Sequence, residues 1–137
     1  MKRTVSTLTS LFLLLALVLS LGACGGDPWA EAVYTADTTL GEGGTQFTFE
    51  VVCGEHLVTF TVNTDEGMLG DALLDVGLIA GDTGPYGLYV KRVNDVLADY
   101  DVDGYFWALY VKGEAAMVGV DATPVEAGAV YRFAREK

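Results

Sequence analysis

Past Ser20 the chain contains no serine, and over its whole length it has one histidine, His56, and two cysteines, Cys24 and Cys53. Ser6, Ser10 and Ser20 all lie in the N-terminal leader, so the remainder offers no seryl nucleophile for a hydrolase. A thiol nucleophile would need Cys53 beside His56. Those two residues flank a tight turn, and the alternation puts Cys53 on an apolar strand face, where a thiol is inert. One histidine and two cysteines fall short of the four ligands of a structural zinc site. Bases are also scarce: eight Lys and Arg stand against 19 Asp and Glu, a net charge of −11. That balance excludes nucleic acid and anionic lipid surfaces as electrostatic partners, since both need basic patches. Acids are plentiful, but a glycosidase needs two that converge, and no spacing here forces convergence. The sequence therefore reads as that of a non-enzymatic protein without a cofactor.

The leader itself is informative. Lys2 and Arg3 precede an apolar run from Leu11 to Leu21, and Leu21-Gly22-Ala23-Cys24 follows directly. The run is shorter than the about 20 residues of a membrane-spanning helix and has the length of a secretory apolar region. Leu-Gly-Ala-Cys resembles the lipobox of bacterial lipoproteins, which implies cleavage before Cys24 and lipidation of that residue. Residues 1–23 are then a signal peptide, and the protein sits on the extracellular face of the bacterial cell membrane, held there by its lipid anchor. Cleavage would remove Lys2 and Arg3 and no acid, leaving six bases against 19 acids and a net charge of −13. Lipidation of Cys24 leaves Cys53 without a partner, so no disulfide framework is expected.

From Cys24 to Gly44 glycines and scattered acids dominate, and the stretch reads as a flexible tether reaching about 25 Å. Trp29 and Tyr34 are unusual in a pure spacer, so part of the stretch is expected to lie along the domain. The single domain expected over 45–137 begins with strict alternation. Phe47, Phe49, Val51 and Cys53 point one way, and Val58, Phe60 and Val62 answer them across Gly54-Glu55, a two-residue turn of type II′ character. Asn63, Thr64 and Asp65 offer helix caps. Leu69, Ala72, Leu73 and Val76 then recur at helical spacing, and Gly77 stops the helix. Gly81 to Pro85 reads as a turn, Tyr86 to Val93 as a strand and Asp95 to Gly104 as an acidic loop. Next come the aromatic strand Tyr105 to Val111 and a closing strand from Ala129.

Asp99, Asp101, Asp103 and Gly104 spell the first half of a calcium loop. Its twelfth position, however, is Tyr110 inside a strand, so a solvated acidic turn is expected instead. On the aromatic strand, Tyr105 and Trp107 alternate with Phe106 and Ala108. Phe106 is expected to face the helix at Leu69 and Leu73. Tyr105 and Trp107, whose polar tips suit a half-wet surface, are expected near a ligand site. Tyr86 and Tyr89 on the preceding strand complete the candidate ligand set.

Several segments together carry a family resemblance: Gly67-Met68-Leu69-Gly70-Asp71-Ala72-Leu73, Tyr86-Gly87-Leu88-Tyr89-Val90, the aromatic strand ending in Lys112-Gly113, Gly119-Val120-Asp121, and Val125-Glu126-Ala127-Gly128. Over residues 45–137 the chain resembles the bacterial lipoprotein domain related to the C-terminal domain of transcobalamin and intrinsic factor. The family often has Asn-Gly where this chain has Lys112-Gly113. The resemblance implies an α+β fold: a single β-grasp-like domain, with a mainly antiparallel sheet of about five strands packed on one short helix. It also implies binding of a soluble ligand, a corrinoid among the candidates. The expected function is a cell-surface lipoprotein that binds a small-molecule ligand or a surface protein. A calcium-dependent adhesion or structural protein-interaction module is the alternative.

Overall fold

The computed structural model describes residues 26–137; the leader and Cys24 lie outside the described residues. Among the described residues nine strands form two sheets. They are β1 (Thr38–Leu40), β2 (Thr45–Cys53), β3 (His56–Thr64), β4 (Ile79–Gly84), β5 (Gly87–Val93), β6 (Val96–Leu97), β7 (Phe106–Val111), β8 (Glu114–Ala115) and β9 (Val130–Glu136). The larger sheet has the order β1-β3-β2-β9-β7-β8, with β1–β3 and β2–β9 parallel and the other pairs antiparallel. The smaller has the order β4-β5-β6. Two short helices, α1 (Leu69–Asp75) and α2 (Tyr100–Asp103), and 3-10 turns at Pro28–Glu31 and Val120–Ala122 complete the described residues. The architecture is thus mostly β and two-sheeted, which corrects the expected single β-grasp-like sheet of about five strands.

The alternation that predicts the first hairpin also builds the core. Phe47, Phe49, Val51, Val58, Phe60 and Val62 are all buried, with paired residues running in register from Thr45↔Thr64 to Cys53↔His56. Phe49 lies 6.1 Å from Phe60 and 6.0 Å, edge-on, from Phe133, so three strands share one aromatic cluster. At the turn Gly54 has φ +61° and Glu55 is not positive, as a type II′ turn requires. Lys112 (φ +53°) and Gly113 (φ +84°) form a turn positive at both centres between β7 and β8, the geometry that suits Asn-Gly best.

Several local expectations are corrected. The stretch read as a flexible tether is built into the domain from Asp27 to Leu40. Trp29 is buried and stacks on His56 at 5.0 Å between centroids. Tyr34 exchanges two hydrogen bonds with Asn94, at 2.9 and 2.8 Å, and β1 extends the sheet beside β3. Gly81 to Gly84, read as a turn, pairs with β5 through a register shift at Ala80/Gly81. Gly81 is needed there because a Cβ would collide with the Tyr89 carbonyl. Asn63 and Thr64 belong to β3 and cap nothing on α1, whose first N–H, from Leu69, is instead received by the Thr123 carbonyl at 2.8 Å.

The faces of β7 are opposite to expectation. Residues directly opposed across an antiparallel pair share a face. Leu109 opposes Phe133 and Val111 opposes Tyr131, and both partners on β9 are buried. Trp107, of the same parity, therefore points inward at 7 % exposure, and Phe106 points outward at 37 %. The one expected helix is not the only cover: the smaller sheet covers Trp107, whose Nε1–H donates to the Val96 carbonyl at 3.1 Å.

One carboxylate joins α1 to the smaller sheet. Asp121, on the 3-10 turn, accepts the Leu88 N–H at 2.7 Å. A Cβ on Gly70 would meet its Oδ1 at 2.6 Å, and one on Gly87 its Oδ2 at 2.7 Å. Two glycines thus make room for the acid. Asp121 and the start of β5 both flank the groove described below, so this contact helps to shape it.

Trp107→Ala is expected to cost about 3–5 kcal/mol and Phe106→Ala less than about 1 kcal/mol, both measured by urea unfolding. Gly70→Ala should destabilise clearly in the native background and much less in Asp121→Ala, because the obstructing carboxylate is then absent. Equal costs in the two backgrounds would remove Asp121 from that role.

Candidate functional site

A groove of 460 Å³ opens where β7 and β5 run unpaired past each other. Its walls are Leu88, Tyr89 and Val90 of β5, residues 106–110 of β7, and Ala115, Ala116, Val118 and Gly119 of the segment that leaves β8; Phe133 and Glu136 of β9 also line it. The volume falls within the about 300–1,000 Å³ typical of ligand pockets. Strand pairing explains why the space is open. β8 pairs with β7 only at Tyr110 and Val111, and after one further bond, Ala116 N–H to the Leu109 carbonyl at 2.9 Å, the chain turns toward the 3-10 turn at Val120. On the other wall, β6 pairs with β5 only at Arg92 and Val93.

The rim is apolar. Tyr89 is 46 % exposed, Val118 53 % and Phe106 37 %. Two still more exposed side chains, Tyr86 and Met117, lie within two residues of the walls along the chain. Exposed apolar side chains gathered around one concavity, rather than scattered, are the usual mark of a binding surface. The polar groups at the rim are acidic. Glu136 accepts the Tyr110 hydroxyl proton at 2.6 Å, and this bond holds the Tyr110 hydroxyl above its ordinary pKa.

Of the four aromatic residues expected at a ligand site, the groove brings two together. Tyr89 and Trp107 line it, although the Trp107 ring is mostly spent on the core. Tyr86 stands fully exposed at the tip of the β4–β5 turn. Tyr105 lies elsewhere, beneath the Arg135 guanidinium at 3.9 Å. Leu88, Val90, Ala116 and Val118 were missed, because nothing in the sequence states where β8 ends. The available hint was Met117-Val118, an apolar pair among small residues just after a hairpin.

A second basin, of 520 Å³, lies on the uncovered face of the large sheet, lined by Glu50, Tyr110, Val130, Arg132, Ala134 and Glu136. Two of its charges answer one another: Arg132 lies opposite Glu50 in the strand register and contacts it at 3.4 Å.

The acidic segment turns two of its carboxylates to protein partners. Asp99 caps α2 through the Asp101 N–H at 3.3 Å and pairs with Lys91 at 3.3 Å. Asp103 accepts the Tyr105 N–H at 2.9 Å and pairs with Arg135 at 3.2 Å. The expected solvated turn is therefore a helical turn with two of its three acids bound to bases. Among the described residues no group of three His, Cys, Asp or Glu side chains is placed to hold a metal ion. Burial raises the Cys53 thiol above its ordinary pKa, which leaves it a poor nucleophile. No helix among the described residues is long and apolar enough to cross a membrane.

Comparison with known proteins bears on the fold and on the groove. The family model for a domain of unknown function, DUF4430, matches residues 68–134, a span that holds α1, every strand from β4 to β8 and both walls of the groove. No curated protein matches the chain. Among solved structures, one from Ruminococcus gnavus, described as a "putative metal binding protein", is similar at 28 % identity and TM-score 0.64, covering 69 % of this chain and 98 % of its own. Haptocorrin in complex with Cbi is similar at 17 % identity and TM-score 0.54, covering 68 % of this chain and 25 % of its own. The chain thus spans about a quarter of haptocorrin, and at that identity the likeness is one of fold. It agrees in fold with the transcobalamin resemblance read from the sequence.

Proposed function

We propose that this protein is a non-enzymatic ligand-binding module, held by lipid on Cys24 at the extracellular face of the bacterial cell membrane, and that its ligand occupies the groove between β5 and β7. The observation that carries the reading is that groove: a concavity of 460 Å³ with apolar walls, formed where two strands stop pairing. A further fact supports a binding role: the similar haptocorrin structure is a complex with Cbi. The lipobox-like stretch Leu21-Gly22-Ala23-Cys24 supports the anchor. A calcium-dependent adhesion role is disfavoured, because Lys91 and Arg135 already occupy Asp99 and Asp103.

The test uses the full chain in thermal-shift titrations with corrinoids, calcium and soluble cell-wall fragments. A ligand at 100 times its Kd stabilises by about 2.7 kcal/mol, a rise of several degrees in Tm for a domain of this size. The rise should vanish in Ala116→Trp, which fills the groove, and persist in Arg132→Ala, whose side chain does not line it. A response unchanged by Ala116→Trp places the ligand elsewhere. Cys24→Ala should release the protein from the membrane or leave its precursor uncut; normal membrane retention of that variant would contradict the anchor.

A further inference from the structure

The groove has a polar feature that a pocket for a compact small molecule does not need. Lys112 N–H donates to the Val130 carbonyl at 2.9 Å, and this sets the phase of the β7–β9 ladder. Tyr110, Ala108 and Phe106 turn their backbone groups toward β9, while Leu109 and Trp107 turn theirs away. The Leu109 carbonyl is taken by Ala116. The N–H of Leu109 and both backbone groups of Trp107 face the outer edge, where no strand pairs with them among the described residues. They open onto the groove that residues 106–109 line.

Natural sheets guard such edges with lysine, proline or a bulge. Phe106-Trp107-Ala108-Leu109 has none of these. The charge that lines the groove is one-sided. Lys91, Arg92, Lys112, Arg132 and Arg135 each carry a carboxylate partner, and Lys137 lies over the Tyr105 ring at 5.5 Å, outside the groove lining. Glu136 on the groove wall, Glu114 on β8 and Asp121 beside Leu88 have no basic partner within 4.0 Å among the described residues.

We infer that the occupant of the groove is an extended, cationic segment of a partner protein, which adds to the open edge of β7 as a further strand along the line that the chain abandons after Ala116. The inference rests on the groove being the ligand site. Backbone pairing with Trp107 and Leu109 supplies affinity that does not depend on sequence, and alternate side chains supply selectivity. Apolar residues of the segment fall toward Tyr89 and Val118, and basic ones toward Glu136 and Glu114. Because the attraction is between exposed charges, it weakens as salt rises.

Four capped nine-residue peptides test the inference on the full chain in lipid nanodiscs. One alternates valine and lysine, two are that peptide N-methylated at alternate amides, one in each phase, and one alternates valine and glutamate. Binding is read by calorimetry and by amide exchange at single residues. The valine–lysine peptide is expected to slow exchange of the Trp107 and Leu109 amides at least tenfold and to leave Ala108 unchanged. N-methylation in one phase, and the change to glutamate, should each weaken binding at least tenfold. Equal affinity of both N-methylated peptides would overturn strand addition while leaving the groove as a ligand site. Protection that persists in Ala116→Trp would overturn both readings. Failure of the valine–lysine peptide to protect Trp107 at millimolar concentration would overturn strand addition alone.

Discussion

The structure depends most on the inward turn of Trp107. Pairing with β9 sets its parity, because Tyr131 and Phe133 already commit β9 to the core. A ring of this size cannot be buried by α1 alone, which is seven residues long. The smaller sheet lies over it, and the indole N–H closes on the Val96 carbonyl. A buried indole without an acceptor would forfeit a hydrogen bond, so this contact fixes where β6 sits. Once β6 is fixed, β5 passes the outer edge of β7 without pairing to it, and the groove results.

Two smaller devices hold that arrangement. Asp121 ties the 3-10 turn to the start of β5, with Gly70 and Gly87 making room for its carboxylate. Tyr131 ties β9 to the preceding loop: its hydroxyl donates to the Pro124 carbonyl at 2.7 Å and accepts the Glu126 N–H at 2.9 Å. Burial raises the pKa of that hydroxyl, so it stays protonated and able to donate across the neutral range. At the opposite end of the large sheet, Asp27, Trp29 and His56 clasp the N-terminal segment against the β2–β3 turn. The point at which the chain enters the domain is therefore anchored.

The β2–β3 hairpin was legible because strict alternation and a glycine-first turn are local signals. The stop of α1 at Gly77 was legible for the same reason. What was not legible depends on distant partners. Gly81 to Gly84 looks like a turn until Tyr89 and Val90 stand beside it. The Thr123 carbonyl that receives the first N–H of α1 comes from 54 residues further along the chain. The parity of Trp107 against Phe106 could not be read from β7 alone, since both faces carry aromatic residues; it follows from β9 and from a second sheet that no periodicity announces. Tyr89 and Trp107 entered the candidate site from their chemistry, whereas the groove itself arises from where β8 stops. Lys112-Gly113 illustrates the opposite case. A lysine in a left-handed position is an unusual choice, yet the turn forms because β7 and β8 demand it on either side.

The central claim is that Trp107 is an internal pin that holds the smaller sheet against the larger and so leaves the edge of β7 open. The direct measurement is hydrogen exchange of the Trp107 indole Nε1–H, followed by NMR with the signal assigned by Trp29→Phe. The account predicts exchange as slow as that of the core amides of β2 and β9, released only by global unfolding. Exchange at the rate of a solvent-exposed indole would contradict it, because the ring would then lie outside and β6 would have no reason to sit where it does.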